Sequence, residues 1–494
     1  MRSADTDREL RRAEPARPGM LGPGPAWRSA SIRLLRANWP AVVLVAAGLV
    51  LRVLAQLAYR PAIFYIDTPR YLFNDPPGMD PLGYGGVLRA ILAVGNLDVV
   101  VAVQHLLGLA MAVVIYALLR KRGTERWLAA LAIAPVLLDA YQVQIEQTLM
   151  PDLWFEALIV AGLTILLWRP TAGWRRAALA GVVLGASATV AQVGEAVLLP
   201  AVIYLLVLGG GWRRAAGRVT AACVAFALPI AAYSAGSYLL TGAFQLSHTG
   251  MTSFYGRTAA AADCDTIRLP AGERGMCPTR TEQRQGPDWL EYSPRSPIRW
   301  YYNPKHQPIA LTNREIADFN HRVLTQQPLR LMSAYGHDLV KLFTPTRAHS
   351  QGDTPIYRWQ FQTSYPYFPP WTSTKVVDDA ISQFGGGAPA VWTPVAGFLR
   401  AYQLDGGFTP GPLLAVFAVT GLVGSLVLVR RKIDHRTRQL GLACLLFFAS
   451  GVFVLAVSDL FEFSWRYQLP ALVTLAPAGA LGIATISRSF QRAS

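Results

Sequence analysis

Ten long apolar runs, separated by connectors of alternating charge, limit what this chain can fold into. A run of roughly 20 apolar residues crosses about 30 Å of hydrocarbon, and in that layer the backbone must satisfy its own polar groups, which favours helices. The runs lie near residues 39–59, 97–119, 126–140, 150–168, 177–193, 195–210, 219–241, 409–429, 439–457 and 468–486. One set of connectors is basic: an N-terminal arm with eight Arg, Arg120-Lys121-Arg122, Arg169 with Arg175-Arg176, Arg213-Arg214, Arg430-Arg431-Lys432, and a tail with Arg488 and Arg492. The other set gathers Asp67, Glu146, Asp152, Glu195, Asp459 and Glu462. The positive-inside rule assigns the basic set to the cytoplasm. Ten spans then leave both termini cytoplasmic, in a multi-pass protein of the plasma (inner) membrane. Its carboxylates meet on the extracytoplasmic face, where any chemistry belongs.

Composition agrees: 52% of residues are hydrophobic and only 15% charged, as expected of an α-helical polytopic membrane protein. A net charge of +16 raises the question of nucleic acid. The basic surplus, however, sits in short loops beside spans, where it orients helices and meets anionic lipid. Membrane lipids are thus expected partners and nucleic acid is not.

Four blocks follow. Residues 1–38 form a basic, disordered cytoplasmic arm, too late in its apolar character to be a cleaved signal. Residues 39–241 hold seven spans and a first outer loop, 60–96, in which Val87, Leu88, Ile91 and Leu92 predict a short interfacial helix. Residues 242–408 form a mixed extracytoplasmic cap, with a helix pair expected between about 312 and 343. Its Tyr365-Pro366-Tyr367-Phe368-Pro369-Pro370-Trp371 stretch predicts an irregular surface. Residues 409–494 add three spans and a cytoplasmic tail. Cys264 and Cys277 fall in the cap, on the oxidising side, and are expected to pair. Closing that loop contributes on the order of 3 kcal/mol in the chain-entropy view. Cys223 and Cys444 lie within spans and read as small buried hydrophobes.

Candidate chemistry lies in four places. Asp67, in Phe64-Tyr65-Ile66-Asp67-Thr68-Pro69-Arg70-Tyr71-Leu72, is a carboxylate at the edge of apolar surface and suits a general base. It also suits the cap of a helix starting at Pro69. Glu146, Asp152 and Glu156 flank the turn between the third and fourth spans. Asp152 and Glu156 share a helix face at i, i+4, where like charges require a cation, a metal, substrate groups or a proton. Gln104, His105, Gln192 and Glu195 are polar groups near span ends, and such groups usually face the bundle interior. Arg466, in Glu462-Phe463-Ser464-Trp465-Arg466-Tyr467-Gln468-Leu469-Pro470, is the one cation of its short outer connector. It fits an ion pair with Glu462 or a bidentate hold on phosphate. No His/Cys/Asp spacing resembles a zinc site.

These segments resemble the GT-C superfamily of membrane glycosyltransferases, which includes protein O-mannosyltransferases and lipid A aminoarabinose transferases. The likeness covers roughly the first 240 residues and the last span. Asp67 matches the catalytic carboxylate of the first outer loop, and Asp80-Pro81-Leu82-Gly83-Tyr84 resembles the turn after it. Gln104-His105-Leu106-Leu107-Gly108, the stretch from Glu146 to Asp152, and Arg466-Tyr467-Gln468-Leu469-Pro470 resemble further recurring segments. Thr68 stands where many members carry a second acid, and Asp80 where His is usual.

The resemblance implies a hexosyl- or pentosyltransferase of the cell envelope. It would move a sugar from a polyprenyl-phosphate carrier to the hydroxyl of a glycan, lipid or protein by inverting displacement. Asp67 would be catalytic, with Tyr71, Gln104, His105, Glu146, Asp152, Glu195, Arg466 and Tyr467 binding substrate. No cofactor is certain; were a divalent cation used, Asp67, Glu146 and Asp152 would be its ligands. The competing readings are a transporter or flippase of a lipid-linked saccharide and a non-catalytic envelope assembly protein.

Overall fold

The structure is a computed structural model that describes residues 35–74, 81–247, 250–301, 309–369, 372–430 and 432–491. Most of the N-terminal arm, Asp80, Pro370, Trp371, Arg431 and Arg492 lie outside the described residues.

Every expected apolar run is helical. In chain order the helices are α1 (Trp39–Ala58), α2 (Thr68–Phe73), α3 (Gly83–Leu92), α4 (Leu97–Arg122), α5 (Arg126–Leu138), α6 (Ala140–Gln147), α7 (Asp152–Leu167), α8 (Trp174–Val190), α9 (Leu198–Val207) and α10 (Trp212–Thr241). The long connector carries α11 (Gly250–Ala261), α12 (Arg280–Gln283), α13 (Gly286–Tyr292), α14 (Pro297–Tyr301), α15 (Ile309–Gln326), α16 (Pro328–Lys341), α17 (Thr374–Phe384) and α18 (Thr393–Leu404). Then come α19 (Gly411–Leu426), α20 (His435–Phe461) and α21 (Pro470–Phe490).

Among the described residues, 6 helices have the length and hydropathy to cross a membrane, and α5 with α6, bent by 48°, makes up to 7. The remaining apolar runs, α7, α8 and α9, are shorter. At 1.5 Å per residue α7 and α8 reach only about 24 and 26 Å, and α9 continues a 3-10 turn as one short apolar helix, Gln192–Val207. Length and hydropathy together thus pick out 6, or up to 7, of the ten expected spans.

Helices approach closely where side chains are absent. A Cβ on Gly181 or Gly185 of α8 would strike the carbonyls of Ala222 and Phe226 in α10. The bend between α5 and α6 leaves carbonyls without intrahelical donors. Arg52 of α1, 1% exposed, donates to Val136 O and Leu137 O there, each at 3.0 Å.

The expected interfacial helix is α3, with Leu88 buried and Arg89 exposed, and the expected helix pair is α15 and α16. A second small core joins α11, α13 and α15 through Tyr255, Leu290 and Phe319, with the Cys264–Cys277 disulfide packed against it. The connector is fastened to the helical body at several points. Residues 59–60 and 390–391 pair as antiparallel strands. Arg347 clasps Asp139 through two bonds of 3.2 and 2.6 Å, and Thr409 N donates to the same carboxylate. Tyr335 donates to Ala456 O of α20, and Trp465 donates to Ala348 O.

Candidate active site

The first loop leaves α1 and turns at Asp67 into α2, since Pro69 fits the first turn of a helix and Thr68 Oγ1 accepts from Tyr65 N. Asp67 stands at the cap position, yet its side chain makes no capping bond. One oxygen lies 3.1 Å from Arg70 and the other 3.3 Å from Arg466. Arg466 comes from the turn between α20 and α21. Its Nε also lies 3.1 Å from Asp152 at the start of α7. The guanidinium stacks over Tyr467, Trp359 and Tyr65 at 4.7, 5.1 and 6.0 Å, a cage that suits a delocalised cation. Arg466 thus pairs with Asp67 and Asp152, while no ion pair joins it to Glu462.

These residues stand between two pockets. A polar cavity of about 600 Å³ is lined by Asp67, Arg70, Asp288, Arg299, Arg358 and Trp359, among others. A smaller pocket of about 250 Å³ is lined largely by apolar groups, including Pro81, Val190, Ala191, Val193, Val457 and Phe461, with Glu195 and Gln192 at its wall. Tyr71, Tyr292, Glu462, Arg466 and Tyr467 belong to both. Among the described residues, the buried Trp359 Nε1 and Ser464 Oγ, both on the polar cavity's wall, have no hydrogen-bond partner, and neither does Asp152 Oδ2. Unmet polar capacity of this kind suits a hydroxyl-rich ligand.

The connector supplies part of the wall. Arg358 lies 3.6 Å from Asp288 and donates to Tyr65 Oη at 3.3 Å. Burial pushes the Asp288 carboxyl above its usual range, and Arg358 opposes this. Glu462 opens onto both pockets but lies deep in the protein. Burial and the neighbouring Asp288 and Glu291 carry its carboxyl well above the ordinary value. Glu291, hydrogen-bonded by Ser253 at 2.5 Å, is pushed up to about 8 by burial.

The structure brings Asp67, Tyr71, Asp152, Glu195, Arg466 and Tyr467 to the two pockets or to the residues that line them. It does not bring Gln104, His105 or Glu146 there. Glu146 is fully buried, 2.6 Å from Arg52 and 3.0 Å from His105 Nδ1. A Cβ on Gly108 would collide with its carboxylate, so the glycine in α4 makes room for it. His105 Nε2 meets Gln147 at 2.8 Å. Gln104 donates to Glu146 O and Thr148 O and accepts from Tyr84. These are closed contacts that join α1, α4 and α6. Among the described residues no three His, Cys, Asp or Glu side chains group closely enough to hold a metal. Between Asp67 and Asp152 stands the guanidinium of Arg466.

No family model and no curated protein matches the chain. Solved structures similar to it include the following two. One is the protein O-mannosyltransferase Pmt1–Pmt2 complex of S. cerevisiae bound to the sugar donor, at 16% identity over 47% of this chain, with a TM-score of 0.33. The other is the oligosaccharyltransferase AglB of Archaeoglobus fulgidus, with an inhibitory peptide and a dolichol-phosphate, at 13% identity over 93% of this chain and a TM-score of 0.36. The chain spans 38% and 52% of their respective lengths. At such scores the overlays assign no residue a role, and the site rests on its own geometry.

Sequence reasoning did not single out Asp288, Arg299, Arg358 and Trp359, which reach the cavity only through the connector's folding. It also passed over Arg52, whose signal was a cation in the middle of an apolar run.

Proposed function

We propose that the protein is a membrane glycosyltransferase that moves a sugar from a polyprenyl-phosphate carrier to an acceptor hydroxyl. The observation that carries this reading is the position of Asp67: on the wall of a polar cavity, paired with an arginine that the cavity shares with an apolar pocket. The carrier's chain lies in the apolar pocket and its phosphate at the shared wall, against Arg466 and Tyr467. The sugar projects into the polar cavity beside Trp359. When phosphate takes up Arg466, Asp67 gives up part of its pairing and is free to accept a proton. The acceptor oxygen loses its proton to Asp67 and bonds to the anomeric carbon. The bond from that carbon to the phosphate oxygen breaks, and polyprenyl phosphate departs with the electron pair. One displacement inverts the centre.

The reaction belongs on the extracytoplasmic side. Asp152 opens α7 at the site, whereas Arg169 follows the far end of that helix, with the other basic connectors expected in the cytoplasm. Purified full-length protein given a polyprenyl-phosphate sugar and an acceptor should form a new glycosidic bond. Asp67→Asn should lose nearly all of this activity while the protein still folds and inserts. Wild-type turnover in that variant removes Asp67 from the mechanism.

A further inference from the structure

The polar cavity carries more positive charge than the carrier's phosphate needs. Arg70, Arg299, Arg358 and Arg466 line it, against Asp67, Asp288 and Glu462. Arg70 and Arg466 are committed to Asp67 at 3.1 and 3.3 Å. Arg358 is held less firmly, 3.6 Å from Asp288. Arg299, half-buried, forms no ion pair among the described residues and acts on Glu291 only at longer range. Four guanidiniums thus face three carboxylates on the wall, and burial carries the Glu462 carboxyl well above its ordinary value.

Arg466 differs from the other three in lining both pockets, where the head of a lipid carrier would lie. Arg299 and Arg358 border the polar cavity alone, together with Pro294, Thr354 and Trp359. Two guanidiniums on that wall, one 3.6 Å from its carboxylate and one without an ion pair among the described residues, form the kind of surface that binds a carboxylate or phosphate.

We propose that Arg299 and Arg358 form an anion subsite for the acceptor, and that the acceptor is an acidic glycan bearing a carboxylate or a phosphate. The acceptor role rests on the glycosyl-transfer reading; the anion subsite does not.

The test is equilibrium binding to full-length protein in nanodiscs of zwitterionic lipid, with glucose, glucuronate and glucose 6-phosphate as probes. At least one charged probe should bind about ten-fold more tightly than glucose, a preference that shrinks as salt rises. Arg299→Gln should remove most of that preference and Arg299→Lys should keep much of it. The preference should persist when the protein is saturated with undecaprenyl phosphate. Displacement of the charged probes by that lipid would assign the anion site to the carrier and overturn the proposal. Equal affinity for glucose and both charged probes, or an unchanged preference in Arg299→Gln, would also overturn it. Which probe binds better identifies the acceptor's anion. A preference that depends on Arg299 in a protein found to transfer no sugar would retire the transferase reading and leave the subsite standing.

Discussion

Arg466 reaches the carboxylate of Asp67 at 3.3 Å across 399 positions of sequence. The first loop and the last connector therefore form one site, and neither has its geometry without the other. Asp67→Asn keeps the shape and removes the proton acceptor. The expected loss in kcat is about 100- to 10,000-fold, with an unchanged melting temperature, measured by labelled-sugar transfer and by thermal denaturation in detergent.

In the proposed reaction Asp152 acts through Arg466, as a positioning residue. Its Oδ1 lies 3.1 Å from Nε and its Oδ2 has no partner. Asp152→Asn should raise KM for the carrier more than it lowers kcat, by about ten-fold. A double-mutant cycle with Arg466→Lys should be non-additive, because both changes act on one guanidinium. Additive losses would separate Asp152 from Arg466.

Glu146 is expected to act on stability. It is fully buried between Arg52 and His105, so removing it leaves an uncompensated guanidinium. Glu146→Ala should cost about 3–5 kcal/mol, seen as an early melting transition, while the surviving folded fraction keeps its turnover. Normal melting with lost transfer would return Glu146 to the catalytic machinery.

Glu291 predicts a pH effect of definite sign. Its carboxyl titrates at about 8 in the folded protein against 4.5 for the free group, because burial disfavours its charge. As pH rises from about 4.5, the unfolded chain sheds this proton first, so stability falls until the folded group also ionises near 8. Glu291→Gln keeps an oxygen for Ser253 and removes the slope. At neutral pH it should gain on the order of 3 kcal/mol over wild type, and no advantage below pH 4.5. Parallel melting curves across this range would refute the assignment.

The helical body was legible because apolar runs of sufficient length leave the backbone little choice. Asp67 and Arg466 were legible as charges that topology did not require where they stood. Glu146 carried the same signal, a carboxylate near a span end. What separates it from Asp67 is Arg52, a partner 94 residues away whose approach depends on how α1 packs against the bend. The span count was less legible, since hydropathy cannot tell a crossing helix from a shorter one sheltered within the bundle. Arg299 and Arg358 gave no local sign at all, for an irregular connector has no period from which a facing side can be inferred.

The Arg347–Asp139 clasp bears on how ligands come and go. Parting it would strand a guanidinium and a carboxylate in a dry seam, so the connector does not swing clear as a hinged door. On the proposed reading, carrier and acceptor must therefore reach the site with the connector in place.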